Sequence, residues 1–169
     1  IFHPMLELPK IHDVCFVGGR YGTREKIVTA LMKAGIKVTA YGDGWERGRI
    51  ETENVPRLFA QSKIVLGIGT IGHSRDFYAL KMRDFDGPMS GSLYITHDNH
   101  DLHQLYDIDK EIVTYNSIKY CVEKIRYYLK HDLEREGIAK AGHIRAVREH
   151  TWEKRFNDLI NDVGFWHSA

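Results

Sequence analysis

Residues 81–96, KMRDFDGPMSGSLYIT, join a basic group, a carboxylate and two glycines to an apolar run, a combination suited to holding a ligand rich in hydroxyls. At helical spacing Met82, Phe85 and Met89 share one side, while Arg83 and Asp86 share another. Gly91 ends the predicted helix over 81–89, and 92–96 reads as a short apolar strand. Open α/β sheets bind their ligands at the carboxyl ends of strands, where Asp86 can accept hydrogen bonds from sugar hydroxyls. Arg83 and Asp86 read equally well as a surface salt bridge.

The other chemistry-bearing segments have weaker patterns. Gly18, Gly19 and Gly22 in FVGGRYGTREK can bring backbone N–H groups to a phosphate, with Arg20, Arg24 and Lys26 to neutralise it. The spacing fits neither a dinucleotide fingerprint nor a P-loop, so a plain strand-to-helix turn is the alternative. His97, His100 and His103 recur at every third residue with Asp98 and Asp101 between them. They read as a solvated loop entering a short helix, and no metal site is expected. His150 is a general base by residue type, with capping or packing as its alternative. Trp45, Trp152 and Trp166 are aromatic surfaces able to stack on a base or a sugar, with helix packing the alternative for Trp152. No local motif provides Ser/His/Asp or Cys/His nucleophilic chemistry, so no catalytic residue is assigned.

These residues need elements to position them. Residues 14–17 make an apolar strand entering the glycine loop, and Thr23 can cap a helix whose Ile27, Val28, Leu31 and Met32 form one side. Gly35 stops that helix, and 36–41 is a second strand leading into GDGWERGR. A short helix over 55–61, a third strand over 64–68, the loop 69–79, and a fifth strand over 111–115 complete an alternating pattern with the 81–96 unit. Such alternation predicts an α/β fold: a Rossmann-like parallel sheet of about five strands with helices on both faces. From Ser117 on the chain is helical, with Val122, Ile125, Tyr128 and Leu129 on one stripe and Leu133, Ile138, Ala141 and Ile144 on another. Thr151 caps a final segment carrying Phe156, Leu159 and Ile160. The organisation expected is a lead-in over 1–11, a domain over 12–150 and a helical tail over 151–169.

Composition narrows the classes. A chain of 169 residues, 43% hydrophobic, holds one domain with a proper core. A net charge of +1 offers no global field for nucleic acid or a membrane surface, and no apolar run is long enough for a transmembrane helix. Cys15 and Cys121 lie far apart in apolar settings, which points to reduced core thiols and a cytoplasmic location.

The ordered series DVCFVGGRYGTRE, GIKVTAYGDGW, SKIVLGI, KMRDFDGPMSGSLYIT, KEIVTY and EKIRYYLKHDLEREGIAKAGHIRAVREHTWEKRF resembles the C-terminal half of a group 1-like glycosyltransferase of the GT-B fold, in the spore-maturation-type branch. The resemblance spans about residues 12–161. It implies a nucleotide-sugar donor site, with UDP or GDP as the nucleotide, and a separate N-terminal domain that holds the acceptor. Asp86 stands where the family has a ribose-binding glutamate, one methylene longer. Arg20 matches a basic residue facing the donor diphosphate, Arg24 matches an arginine of the branch, and Lys26 and Arg83 are further basic candidates. Gly91 matches a close backbone approach, and Thr96, His97 and Asp98 form a turn that lines the sugar pocket. Gly19 belongs to the phosphate loop. Tyr78 stands eight positions before Asp86, where retaining relatives carry an acid. The resemblance implies no bound metal, because helix ends and basic side chains can stabilise a leaving diphosphate. It also implies that this half alone is inactive, and that Trp152, Phe156 and Trp166 expose apolar surface when the other domain is absent.

Overall fold

The computed structural model describes residues 1–74 and 77–163; Trp166 lies outside the described residues. Five strands form one parallel sheet: β1 (His12–Val17), β2 (Val38–Tyr41), β3 (Ser62–Leu66), β4 (Leu93–His97) and β5 (Val113–Tyr115), in the order β2-β1-β3-β4-β5. Among the described residues seven α-helices accompany them: α1 (Gly22–Lys33), α2 (Val55–Ala60), α3 (Arg83–Met89), α4 (Leu102–Leu105), α5 (Ile118–Tyr128), α6 (Asp132–Glu149) and α7 (Trp152–Asp162). The expected α/β class and strand count hold. Strand limits differ from expectation by one or two residues: the ladder between β1 and β3 starts on polar residues, His12 and Ser62, ahead of the apolar runs, while β2 and β5 start two residues inside theirs.

The sheet is apolar on both faces, as a parallel sheet covered on both sides must be. Val14, Phe16, Ile64, Leu66, Leu93, Ile95 and Val113 meet Ile27, Val28 and Leu31 of α1 and Cys121 and Ile125 of α5. Cys15, Val65 and Tyr94 point the other way, toward Leu58 and Phe59 of α2 and Ala146 of α6. Helix α6 serves both cores, with Ile138 and Ala139 in one and Ala146 in the other.

The stripe expected on α6 is displaced. Leu133 and Ile144 are exposed, and the buried face is Arg135, Ile138, Ala139, Gly142 and Ala146. The buried Arg135 guanidinium is satisfied by Asp132, by Glu136 at 2.8 Å and by the Tyr128 carbonyl at 3.1 Å, so it passes for an apolar position along its stem.

Cys15 and Cys121 are fully buried and unbridged. Burial pushes both thiols up to about 12, which removes the reactive thiolate. Folded protein is expected to show no reaction with a disulfide reagent at pH 8, and both thiols to react after denaturation. Rapid labelling of the native protein is the contrary result.

Candidate functional site

Between β1 and β3 the chain changes direction across the sheet: from β1 it passes to β2 on one side, and from β2 it crosses back to β3 on the other. Loops leaving the carboxyl ends of these two strands diverge to opposite faces and open a crevice. One wall is the glycine loop. Helix α1 begins there at Gly22 with Tyr21 as its cap and no side-chain cap hydrogen bond. Thr23, the expected cap, instead donates its hydroxyl to the Ser74 carbonyl at 3.4 Å. The first turn of α1 therefore keeps free N–H groups at the positive end of its dipole.

The loop after β3 folds into a hairpin, with Ala79 N–H donating to Gly69 O at 3.1 Å, Ile71 N–H to Phe77 O at 3.0 Å, and Thr70 bridged to Tyr78. Its His73 ring stands 5.4 Å from the Tyr21 ring, which brings the hairpin against the start of α1.

Helix α3 forms the other wall, and its placement is over-determined. Pro88 lacks the N–H that would bond the Asp84 carbonyl, and the Tyr106 hydroxyl donates to that carbonyl instead, at 3.0 Å. The buried Asp84 carboxylate accepts from the Tyr94 hydroxyl at 2.7 Å and from Lys81 N–H at 2.5 Å. Gly87 lies flat on Tyr94, where an added Cβ would fall 2.4 Å from the ring. These contacts leave Arg83 and Asp86 fixed by the helix that carries them. Asp84 was not among the residues expected to matter; its partners, Tyr94 and Tyr106, are distant in sequence.

The site is marked by polar atoms that the protein does not satisfy. Among the described residues the buried side-chain atoms without a hydrogen-bond partner are Arg24 Nε, Thr70 Oγ1, Arg83 Nε and Arg155 Nε. Three of these belong to the walls of the crevice. The Arg83 guanidinium is held below its ordinary pKa by burial, with the charge of Arg24 adding to the effect. Two arginines that repel one another, each with an unsatisfied donor, leave uncompensated positive charge here, the chemistry that suits an anion. Burial also pushes the Asp86 carboxyl up to about 6, against the pull of Arg83.

The remaining sequence candidates are not all brought together. Arg20 donates to Glu25 at 2.8 Å and lies over the Trp45 ring at 5.4 Å, so its charge is already partnered. Trp45 is no stacking platform: it is buried and donates Nε1–H to Gly18 O at 2.7 Å. Lys26 is exposed on α1. Gly19 sits in the loop under the Tyr21 ring, 3.2 Å from where a Cβ would stand. Thr96 is buried in the sheet beneath Gly67. Asp98 is exposed and paired with His103 at 2.7 Å. Gly91 lies at the opposite end of α3, at the amino end of β4, with φ +72° and Pro4 packed where a Cβ would go. Its close approach is to the N-terminal segment rather than to the crevice.

Tyr78 packs on His97, which is buried at the end of β4. Of the histidine series, His97 is therefore separated in role from His103, and no group of three potential ligands that could hold a metal is present among the described residues. His150 is buried, bonds Leu105 O at 3.0 Å and meets Tyr106 and Phe85 edge-on, and it lines a separate open cleft with Gln104, Lys154 and Arg155. No helix among the described residues is long and apolar enough to cross a membrane.

A five-stranded parallel Rossmann-like sheet with helices on both faces is the architecture of GT-B glycosyltransferase C-terminal domains. The family model described as Glycosyl transferase-like matches residues 23–161, and the chain belongs to that family. A search of curated protein sequences gives no match. The C-terminal domain of a glycosyl transferase group 1 family protein from Francisella tularensis aligns with 90% of this chain and 97% of its own, at 14% identity and a TM-score of 0.65. Sucrose-phosphate synthase from Thermosynechococcus elongatus aligns with 96% of this chain at 15% identity and a TM-score of 0.69. HepE from Anabaena, in complex with UDP-glucose, aligns with 82% at 12% identity and a TM-score of 0.64. The chain spans 49% of the synthase and 44% of HepE, about half of each or less.

Proposed function

We propose that this chain is the donor-binding domain of a glycosyltransferase of the spore-maturation-type branch, which transfers a sugar from a UDP- or GDP-type donor. The observation that carries this reading is the trio of unsatisfied donors, Arg24 Nε, Thr70 Oγ1 and Arg83 Nε, on walls fixed by packing rather than by contact with one another. A diphosphate supplies the negative charge they lack, and the uncapped start of α1 adds backbone N–H groups. Asp86 takes the ribose hydroxyls. No metal is required in this reading, because the two guanidinium groups and the helix dipole neutralise the leaving diphosphate.

Acceptor binding falls to a second domain. The full-length similar structures are about twice as long, and α7 presents Trp152, Phe156 and Leu159, all more than half exposed and continued by Val163 just after the helix, as one apolar stripe suited to such a domain. The reaction draws on cytoplasmic nucleotide sugars. A non-catalytic sugar- or nucleotide-binding module is the second reading, favoured by Tyr78 packing on His97 where retaining relatives have an acid. Sugar transfer or donor hydrolysis by a two-domain protein excludes it.

Calorimetric titration with UDP, GDP and their glucose and mannose conjugates tests the first reading. Asp86→Ala is expected to weaken the best ligand about tenfold, and absence of binding by every nucleotide overturns the assignment. The pH profile adds a signature. With its pKa raised to about 6, Asp86 loses its charge as pH falls through that value, and its ability to accept two hydroxyls goes with it. Nucleotide-sugar affinity is expected to drop below about pH 6 in the native protein and to be flat in Asp86→Asn. Stability moves the other way: because the folded pKa is raised, protonation of Asp86 between about pH 6 and its unfolded value relieves a buried charge.

A further inference from the structure

The remaining unsatisfied donor among the described residues, Arg155 Nε, lies away from the crevice, on α7. Its guanidinium is seated over the Phe85 ring, with Cζ 4.2 Å from the centroid, so α7 bears on the helix that carries Arg83 and Asp86. Attraction between a cation and a ring face offsets part of the cost of enclosing a donor with no partner. The same ring meets His150 edge-on at 5.7 Å, and His150 is held in turn by Leu105 O at 3.0 Å and by the Tyr106 ring at 4.9 Å. Arg155 and His150 also line the open cleft with Gln104, Leu105 and Lys154, so what lies beside the guanidinium is open space rather than packing that would close over the ring in its absence.

Helix α3 is short, and its anchors to the sheet lie along one line. The Asp84 carboxylate accepts from the Tyr94 hydroxyl, the Asp84 carbonyl accepts from Tyr106, and Gly87, one turn on, lies against the Tyr94 ring. Contacts on a single line set the height of a helix and leave rotation about that line as its softest freedom. At about 100° per residue, Phe85 leaves α3 on one flank of the line, and Arg83 and Asp86 leave it on the other. A rotation that lifts Phe85 therefore displaces both site residues.

We propose that Arg155 is a positioning residue for the donor site: by holding Phe85 it fixes the rotation of α3, and with it the reach of Arg83 and Asp86. This rests on the donor-site reading given above.

Calorimetric titration of the whole chain with UDP and GDP, continued with the tighter binder, compares native protein with Arg155→Met and Arg155→Lys. Methionine keeps an apolar stem on Phe85 without the charge, and lysine restores a cation to the ring. Arg155→Met is expected to weaken binding about tenfold, and Arg155→Lys by about twofold or less. Should Arg155→Met fail to fold, Phe85→Leu reads the same hold from the ring side and is expected to weaken binding about tenfold as well. In an Asp86→Ala background the loss caused by Arg155→Met is expected to shrink to about threefold, because one of the groups it places is gone, whereas a general loosening of the fold would cost the same in either background. Unchanged affinity in folded Arg155→Met or Phe85→Leu, equal losses with methionine and lysine, or a loss undiminished beside Asp86→Ala overturns the positioning role and leaves the donor site standing. Failure of the native protein to bind either nucleotide overturns the donor site and this role with it.

Discussion

Gly142→Ala is expected to destabilise the domain by about 2 kcal/mol, although alanine is the better helix former by about 1 kcal/mol. Gly142 lies on the buried face of α6, and a Cβ built there falls 2.0 Å from the Glu111 carbonyl oxygen and 3.1 Å from its carbon. Those are backbone atoms just before β5, so no side-chain rotation relieves the clash. Either α6 moves outward, opening the cores to which Ile138, Ala139 and Ala146 contribute, or β5 shifts.

Gly137 is the internal control. It sits in the same helix, and a Cβ there meets nothing within 4 Å, so Gly137→Ala is expected to stabilise by about 0.5–1 kcal/mol through the unfolded chain and helix propensity. Thermal unfolding reads both: the midpoint should fall by roughly 4–8 °C for the first variant and rise by about 2 °C for the second. Equal shifts of one sign would mean that helix propensity, not the approach of α6 to the sheet, decides these positions.

The same helix shows where sequence reading stops. Its period is legible but its phase is not: Leu133 and Ile144 look like core and are exposed, while Arg135 and Gly142 look like surface and are buried. Residue type misleads there because the burial of Arg135 depends on Asp132, Glu136 and a carbonyl of α5, and that of Gly142 on the proximity of Glu111. Strands were legible because β1, β3, β4 and β5 are short runs of apolar residues buried on both faces, with glycine or polar residues after them. In the site, Arg24, Arg83 and Asp86 were identifiable from charge and position. Asp84 and Thr70 were not, since what distinguishes each is a partner gained or missing across the fold: Tyr94 and Tyr106 for Asp84, and none for the Thr70 hydroxyl.

The arginines of the glycine loop separate a binding role from a structural one, and Arg24→Met is expected to lower nucleoside diphosphate affinity by about 30–100-fold while leaving the free domain's stability within about 0.5 kcal/mol of native. Loss of its contact over the Tyr21 ring, at 4.5 Å, removes roughly 0.5–1 kcal/mol. Relief of its repulsion with the buried Arg83 returns an amount of similar size, because the guanidinium of Arg83 no longer faces a like charge. The two terms nearly cancel in the empty protein. With ligand bound there is no such cancellation, since a charge-assisted hydrogen bond to phosphate is lost outright. Arg20→Met is the contrast: its charge is already committed to Glu25 and the Trp45 face, so affinity should change by less than about threefold. Calorimetric titration and thermal unfolding of the two variants decide the matter together. A fall in stability that tracks the fall in affinity for Arg24→Met would reduce its role to packing, and an equal loss of affinity for Arg20→Met would place the diphosphate nearer the β2 side of the loop.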